Sequence, residues 1–280
     1  MYPASPGHAG RCVYAYYRKG AERVSTFKTF IAIAERDLTV ISRNLGDFFL
    51  RIGVQPLLFA FVFGYVLPTI GTIPRSFSTL VLPGILAVST MAAGVQGTAM
   101  PLAWDFGTTK EIQDRLMAPI SIRLVMIEKI IMGMFEAWLA AAFVFPAAFL
   151  IMRENLDLHI QSLPILILLL LLGGLVSATV GMVLGTIVEP MRFSIMFATV
   201  IVPMIFLGAT YYPWAGLSKI PWLQYLVLVN PLVYVSEGYR GQLTPQIPHM
   251  DPAYAILGIV VSIAILITVA ARHFEKRALN

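Results

Sequence analysis

Hydrophobic positions along the chain fall into one amphipathic segment, six long apolar runs and one interrupted apolar stretch. From Phe27 to Leu45 the apolar residues Phe27, Phe30, Ile31, Ala34, Leu38, Ile41 and Leu45 recur at threes and fours, with Lys28, Glu35, Arg36, Asp37 and Arg43 between them. This spacing predicts an amphipathic helix over 27–45 lying in a membrane interface, and a helix packed on a soluble partner shares the same pattern. The runs at about 48–68, 79–101, 125–150, 163–188, 192–212 and 252–272 each approach the roughly 20 apolar residues that cross a bilayer. Six spans put both termini on one side.

The interrupted stretch, PWLQYLVLVNPLVYVSEGYRGQLTP at 221–245, is too apolar for a loop and too broken for a span. Trp222 to Val229 is short, in the range of buried or re-entrant pieces. Asn230 followed by Pro231 reads as a helix start, with asparagine as the cap and proline at the first helical position, where its missing N–H costs nothing. Two short helices joined by a sharp break, a re-entrant hairpin within 213–248, are therefore expected. In the fourth span Gly173, Ser177, Gly181 and Gly185 recur every four residues. That smooth face lets another backbone approach, either within the chain or at a subunit interface.

Composition turns these runs into a fold class. Hydrophobic residues make up 58% and charged residues 12%, with a mean hydropathy of +0.79, against about 25% charged in soluble domains. The chain is expected to be an all-α integral membrane protein: a polar cytoplasmic tail over 1–26, without the apolar core of a signal peptide, and a single transmembrane domain over 27–280. Fourteen of the twenty Lys and Arg fall on the N-terminal side of the six-span topology. The positive-inside rule then places both termini in the cytoplasm and the hairpin outside. The net charge of +5 is absorbed by that rule, and with no soluble basic domain nucleic acid is not an expected partner. The single cysteine, Cys12, excludes an intrachain disulfide and a multi-cysteine metal site. No internal repeat marks an inverted-repeat carrier.

Soluble catalytic signatures are missing. There is no Gly-x-x-x-x-Gly-Lys-Ser/Thr loop and no His-Glu-x-x-His, and the histidines are scattered at 8, 159, 249 and 273. A nucleotide driving this protein would be bound by another chain. Ionisable groups within spans are functional candidates by default. Glu136 lies deepest, with Lys129 seven residues back on the same helical face, Glu128 beside it and Arg51 early in the first span. Glu136 has three readings: a structural pair with a basic group, a place in a substrate path, or a proton relay. Gln55 and Gln96 read as interhelical hydrogen-bonders or path residues. The 102–124 loop starts a helix near Thr108 or Thr109, with Glu111 and Arg115 at i,i+4. It either docks a partner or is a solvated connection. Glu237 and Arg240, three apart, are expected to pair near the headgroups, and the hairpin reads as an extracellular gate or as an outer-leaflet anchor.

Three segments carry a family resemblance: LPGILA at 82–87; Asp105, Gly107, Thr108, Glu111, Asp114, Arg115, Pro119 and Ile120; and NPLVYVSEGYR at 230–240. In this order, and between these spans, the chain from about residue 27 resembles the permease subunits of type-two ATP-binding-cassette exporters, which include drug-resistance, lipo-oligosaccharide and polysaccharide exporters. Gln96, Asp105, Asp114–Arg115 and Pro119–Ile120 are closest to the drug-resistance and lipo-oligosaccharide branches. Arg51 departs from the apolar first span of that pattern.

The resemblance implies two permease copies, alike or different, and two separately encoded ATPase subunits that bind ATP and Mg. It implies a coupling helix at Lys110, Glu111, Asp114 and Arg115, a docking surface including Glu35, Arg36 and Arg43, and no covalent chemistry in this chain. Gln55, Gln96 and Glu136 are then substrate-path candidates, and Asn230, Pro231, Tyr234, Glu237 and Arg240 gate candidates. The expected activity is export of a hydrophobic or amphipathic molecule, drug-like or lipid, across a bacterial plasma membrane. A polysaccharide or lipo-oligosaccharide exporter, with Tyr211, Tyr212, Trp214, Trp222, Tyr225, Tyr234 and Tyr239 near its outer face, is the nearest alternative. An ion- or proton-coupled carrier using Glu136 is the other.

Overall fold

The computed structural model describes residues 26–107 and 122–278, and every regular element among them is helical. In chain order these are α1 (Thr26–Arg43), α2 (Leu45–Thr69), α3 (Ser76–Gly107), α4 (Ile122–Met152), α5 (Leu163–Ile187), α6 (Pro190–Phe206), α7 (Pro221–Leu226), α8 (Pro231–Leu243) and α9 (Pro252–Ala278). Five of them, α2, α3, α4, α5 and α9, are long and apolar enough to cross a membrane.

The span expected at 192–212 is the shorter helix α6, which stops at Phe206. Its apolar run continues, but the backbone turns: Ala209 adopts a left-handed φ of 53°, a conformation rare outside glycine. Gly208, Ala209 and Thr210 are then buried as a bend rather than as helix. Apolar composition cannot separate those two outcomes.

Two helices loosen into π turns, Ala60–Val66 in α2 and Phe197–Ile201 in α6, and prolines explain both. Pro68 and Pro203 have no N–H to offer the carbonyl four residues back, which is Gly64 in one case and Thr199 in the other. The Gly64 carbonyl accepts instead from the Ser78 hydroxyl at 2.8 Å. A side chain of α3 thereby completes the backbone of α2.

Helix α3 is the centre of the bundle, buried along nearly all of its apolar run. The small face of α5 lies along it in parallel. Ser177 meets Gly94, Gly181 meets Val95 and Thr98, and Gly185 meets Ala99 and Leu102, while Gly173 sits under the Tyr239 hydroxyl of α8. The seam left open by the sequence is therefore intramolecular. Helix α4 runs antiparallel to α3, with Gly133 against Thr98 and Glu136 against Gly97.

The interrupted stretch does form two short helices broken at Asn230. The Asn230 side-chain oxygen accepts from the Leu232 N–H at 3.0 Å, and its amide donates to the Met204 carbonyl at 2.7 Å. The two arms are unlike. On α7, Trp222 and Tyr225 are exposed, whereas α8 is buried along nearly its whole length.

Candidate functional site

The charged groups near the start of the bundle lie on two levels. On the lower one, Lys129 of α4 donates to Asp37 of α1 at 2.8 Å and lies 3.5 Å from Asp105 of α3. Its side chain is 4% exposed and that of Asp37 17%, so water screens the pair little. Asp37 reaches Lys129 because it falls inside the inner stripe of α1, between Phe30 and Ile33, which pack on the core, and Ile41. On the upper level, seven residues or about 10 Å further along α4, Glu136 faces Arg51 of α2 at 3.7 Å.

Glu136 and Lys129 do share one face of the continuous helix α4, as their spacing predicts, and each has its own partners. The basic partner of Glu136 is Arg51, the residue that broke the apolar pattern of its span. This pair is loose. At 3.7 Å it exceeds good hydrogen-bond geometry, and the Arg51 side chain is 42% exposed.

Gln55 is exposed on the same helix as Arg51, and Gln96 is half-buried on α3. Glu35, Arg36 and Arg43 lie on exposed positions of α1. The coupling residues Lys110, Glu111, Asp114 and Arg115 lie outside the described residues.

At the opposite end the structure corrects the expectation for Glu237 and Arg240. They do pair, but both side chains are 0% exposed and enclosed by protein. Arg240 donates to the Ala209 carbonyl at 2.8 Å and lies 3.4 Å from that of Thr210. Glu237 accepts from the Trp214 N–H at 2.9 Å and the Met250 N–H at 2.8 Å. The pair therefore closes the bend after α6, the turn before α7 and the segment leading into α9 around one ion pair. Tyr234 donates to the Leu228 carbonyl at 2.8 Å, a bond across the break at Asn230.

Sequence reasoning missed two sets of partners. The bent backbone that Glu237 and Arg240 satisfy has no sequence signature. Arg277, near the end of α9, was counted only for topology. It donates to the Thr186 carbonyl at 2.7 Å, approaches those of Gly185 and Val188 at 3.3 Å, and lies 4.8 Å from the Phe106 ring centre. Partial burial draws its guanidinium below the ordinary value while Glu189 draws it back up, and an arginine remains charged throughout.

Among the described residues no group of His, Cys, Asp and Glu is placed to hold a metal. What the arrangement offers is ion pairs that tie an amphipathic helix and several spans into one body. No curated protein matches the sequence. The model of the ABC-2 type transporter family matches residues 28–243, from the amphipathic helix to the end of the buried α8. With most of the chain inside that match, this multi-pass membrane protein belongs to the ABC-2 type transporter family and is the permease component of a type-2 ABC transporter.

Proposed function

We propose that the chain is the membrane subunit of an ATP-driven exporter that moves a hydrophobic or amphipathic molecule, drug-like or lipid, out of the cytoplasm or inner leaflet of a bacterial plasma membrane. Two copies form the pathway, with both termini cytoplasmic. Two separate ATPase subunits bind ATP and Mg, and this chain supplies no nucleotide site.

The observation that carries this reading is Arg51. A guanidinium within a span faces protein or a water-filled cavity, not lipid, yet in one copy its side chain is 42% exposed, with Gln55 exposed one turn further on. A second permease copy facing α2 would give these groups a wet, partly polar space. Glu136 holds Arg51 at its edge through a weak pair that a passing substrate could displace. The charged outer face of α1, with Glu35, Arg36 and Arg43, and the loop carrying Lys110, Glu111, Asp114 and Arg115 are the docking surface for the ATPases. The hairpin of α7 and α8 caps the outer end, with Asn230 and Pro231 as its break, Tyr234 bonded across that break and Glu237–Arg240 as its latch.

Affinity purification of the tagged chain from its native membrane tests the reading. A chain carrying a Gly-x-x-x-x-Gly-Lys-Ser/Thr loop should co-purify, and Glu111→Lys with Arg115→Glu should abolish ATP-dependent export while leaving the permease folded. Export that survives the double reversal, or transport by the reconstituted permease alone, would overturn it.

A further inference from the structure

The end of α9 lies beyond the residues that the family match covers, and its contacts converge on the last turn of α3. Phe274 is fully buried and meets the Phe106 ring edge-on at 5.5 Å between centres. Arg277 lies against the same ring at 4.8 Å, and its Nη1 reaches three carbonyls, those of Gly185, Thr186 and Val188. Those carbonyls are at the C-terminus of α5, where the helix leaves acceptors without intrahelical donors and the dipole favours a cation. Beside them, a side chain at Gly107 would collide with the Pro190 ring at the start of α6. One arginine therefore joins the ends of α3, α5 and α9, and the start of α6 closes against the same point.

Phe106 and Gly107 lead straight into residues 108–121. We propose that Arg277 is a positioning residue for ATPase coupling. It braces the end of α3, where the chain enters residues 108–121, against α5 and α9, so that a push transmitted through Gly107 moves three helices as one body. This proposal rests on the reading of residues 108–121 as the ATPase docking site. Guanidinium geometry is what the brace uses: a planar group lies against the ring while its N–H donors reach carbonyls. A lysine could still donate to the helix end but would not hold the same relation to Phe106.

The test uses the full chain with its co-purified ATPase in nanodiscs. Cys12 is replaced by serine, and a bimane fluorophore is attached to a single cysteine replacing Leu58, an exposed position of α2. In the wild type, MgATP with vanadate should change bimane emission. Arg277→Ala should lose about fivefold or more of that change, the lower end of ordinary coupling between sites, while its melting temperature and nucleotide-free emission match the wild type. Arg277→Lys should retain an intermediate response, as a lost stability contribution alone would not produce.

Should Arg277→Ala fail to fold, Phe106→Leu, which removes the ring and leaves the three carbonyl contacts, provides the reading, with the intermediate response expected of Arg277→Lys. A full vanadate response in the folded variant overturns the brace. If the wild type itself captures no ATPase, the docking reading fails and takes the brace with it. Capture with an unchanged response in Arg277→Ala defeats the brace alone.

Discussion

Arg240 and Glu237 show how far one ion pair's role depends on its surroundings. On an exposed helix an i,i+3 pair contributes a few tenths of a kcal/mol. Here both side chains are fully buried and each also binds backbone of another segment. Removing one partner leaves the other charge inside the protein, at a cost of about 3–5 kcal/mol. Arg240→Ala should therefore lower stability by that amount, read as a shifted unfolding midpoint in detergent micelles. The double change Glu237→Gln with Arg240→Met should cost less than the two single changes added together, because it leaves no buried charge. A midpoint for Arg240→Ala within about 1 kcal/mol of wild type would mean that water reaches the pair. The partnership itself was legible from the spacing of Glu237 and Arg240. Its burial was not, because Ala209, Thr210, Trp214 and Met250 come to it through chain bends that no local pattern encodes.

At the scale of elements, helices with a strong physical signature were readable. The apolar runs of α3, α4, α5 and α9 match the expected spans to within a few residues at most ends, although α3 runs on to Gly107. The break at Asn230 lies where the cap-and-proline pair placed it. What could not be read was the end of α6, because the residues around Ala209 are apolar whether helical or turned. Nor could the sequence tell α7, largely exposed, from α8, largely buried, since both are apolar.

The small-residue face of α5 was visible, but its partner was not, since close approach serves a neighbouring span and a second subunit equally. With the partner now identified as α3, Gly181→Leu has a defined consequence. The new side chain would meet the Val95 backbone and Thr98, and overpacking of this kind costs typically about 1–3 kcal/mol or more where backbone must shift. Gly181→Leu should give aggregated or poorly extracted protein by size-exclusion chromatography, whereas Ile167→Leu, at an exposed position of the same helix, should run as wild type. A monodisperse Gly181→Leu with unchanged melting would show that α3 and α5 are free to separate.

For the whole molecule, the question is how the amphipathic helix α1 is held to helices that cross the membrane. Apolar contact supplies part of the hold, through Phe30 and Ile33, but α1 also exposes Ile31 and Leu38, so hydrophobic burial alone does not fix which face turns inward. Lys129 does. It lies between Asp37 of α1 and Asp105 of α3, so the position of α1 is read directly by two spans. Replacing Lys129 with methionine preserves much of the side-chain volume and removes the cation, leaving two carboxylates with no lysine between them. The expected result is local: α1 lifts from the bundle while α3, α4 and α5 remain packed, because the glycine seam does not involve Lys129. Trypsin should then cut faster at Arg36 and Arg43 in Lys129→Met than in wild type, by a factor of 10 or more if about 1.4 kcal/mol or more of the hold is lost and cleavage follows the opened population. Adding Asp37→Asn and Asp105→Asn to Lys129→Met should slow the cleavage again, since the two side chains then no longer repel each other as carboxylates. Unchanged cleavage in Lys129→Met would mean that apolar contact alone seats α1, and the lower charged level would then have no part in linking α1 to the spans.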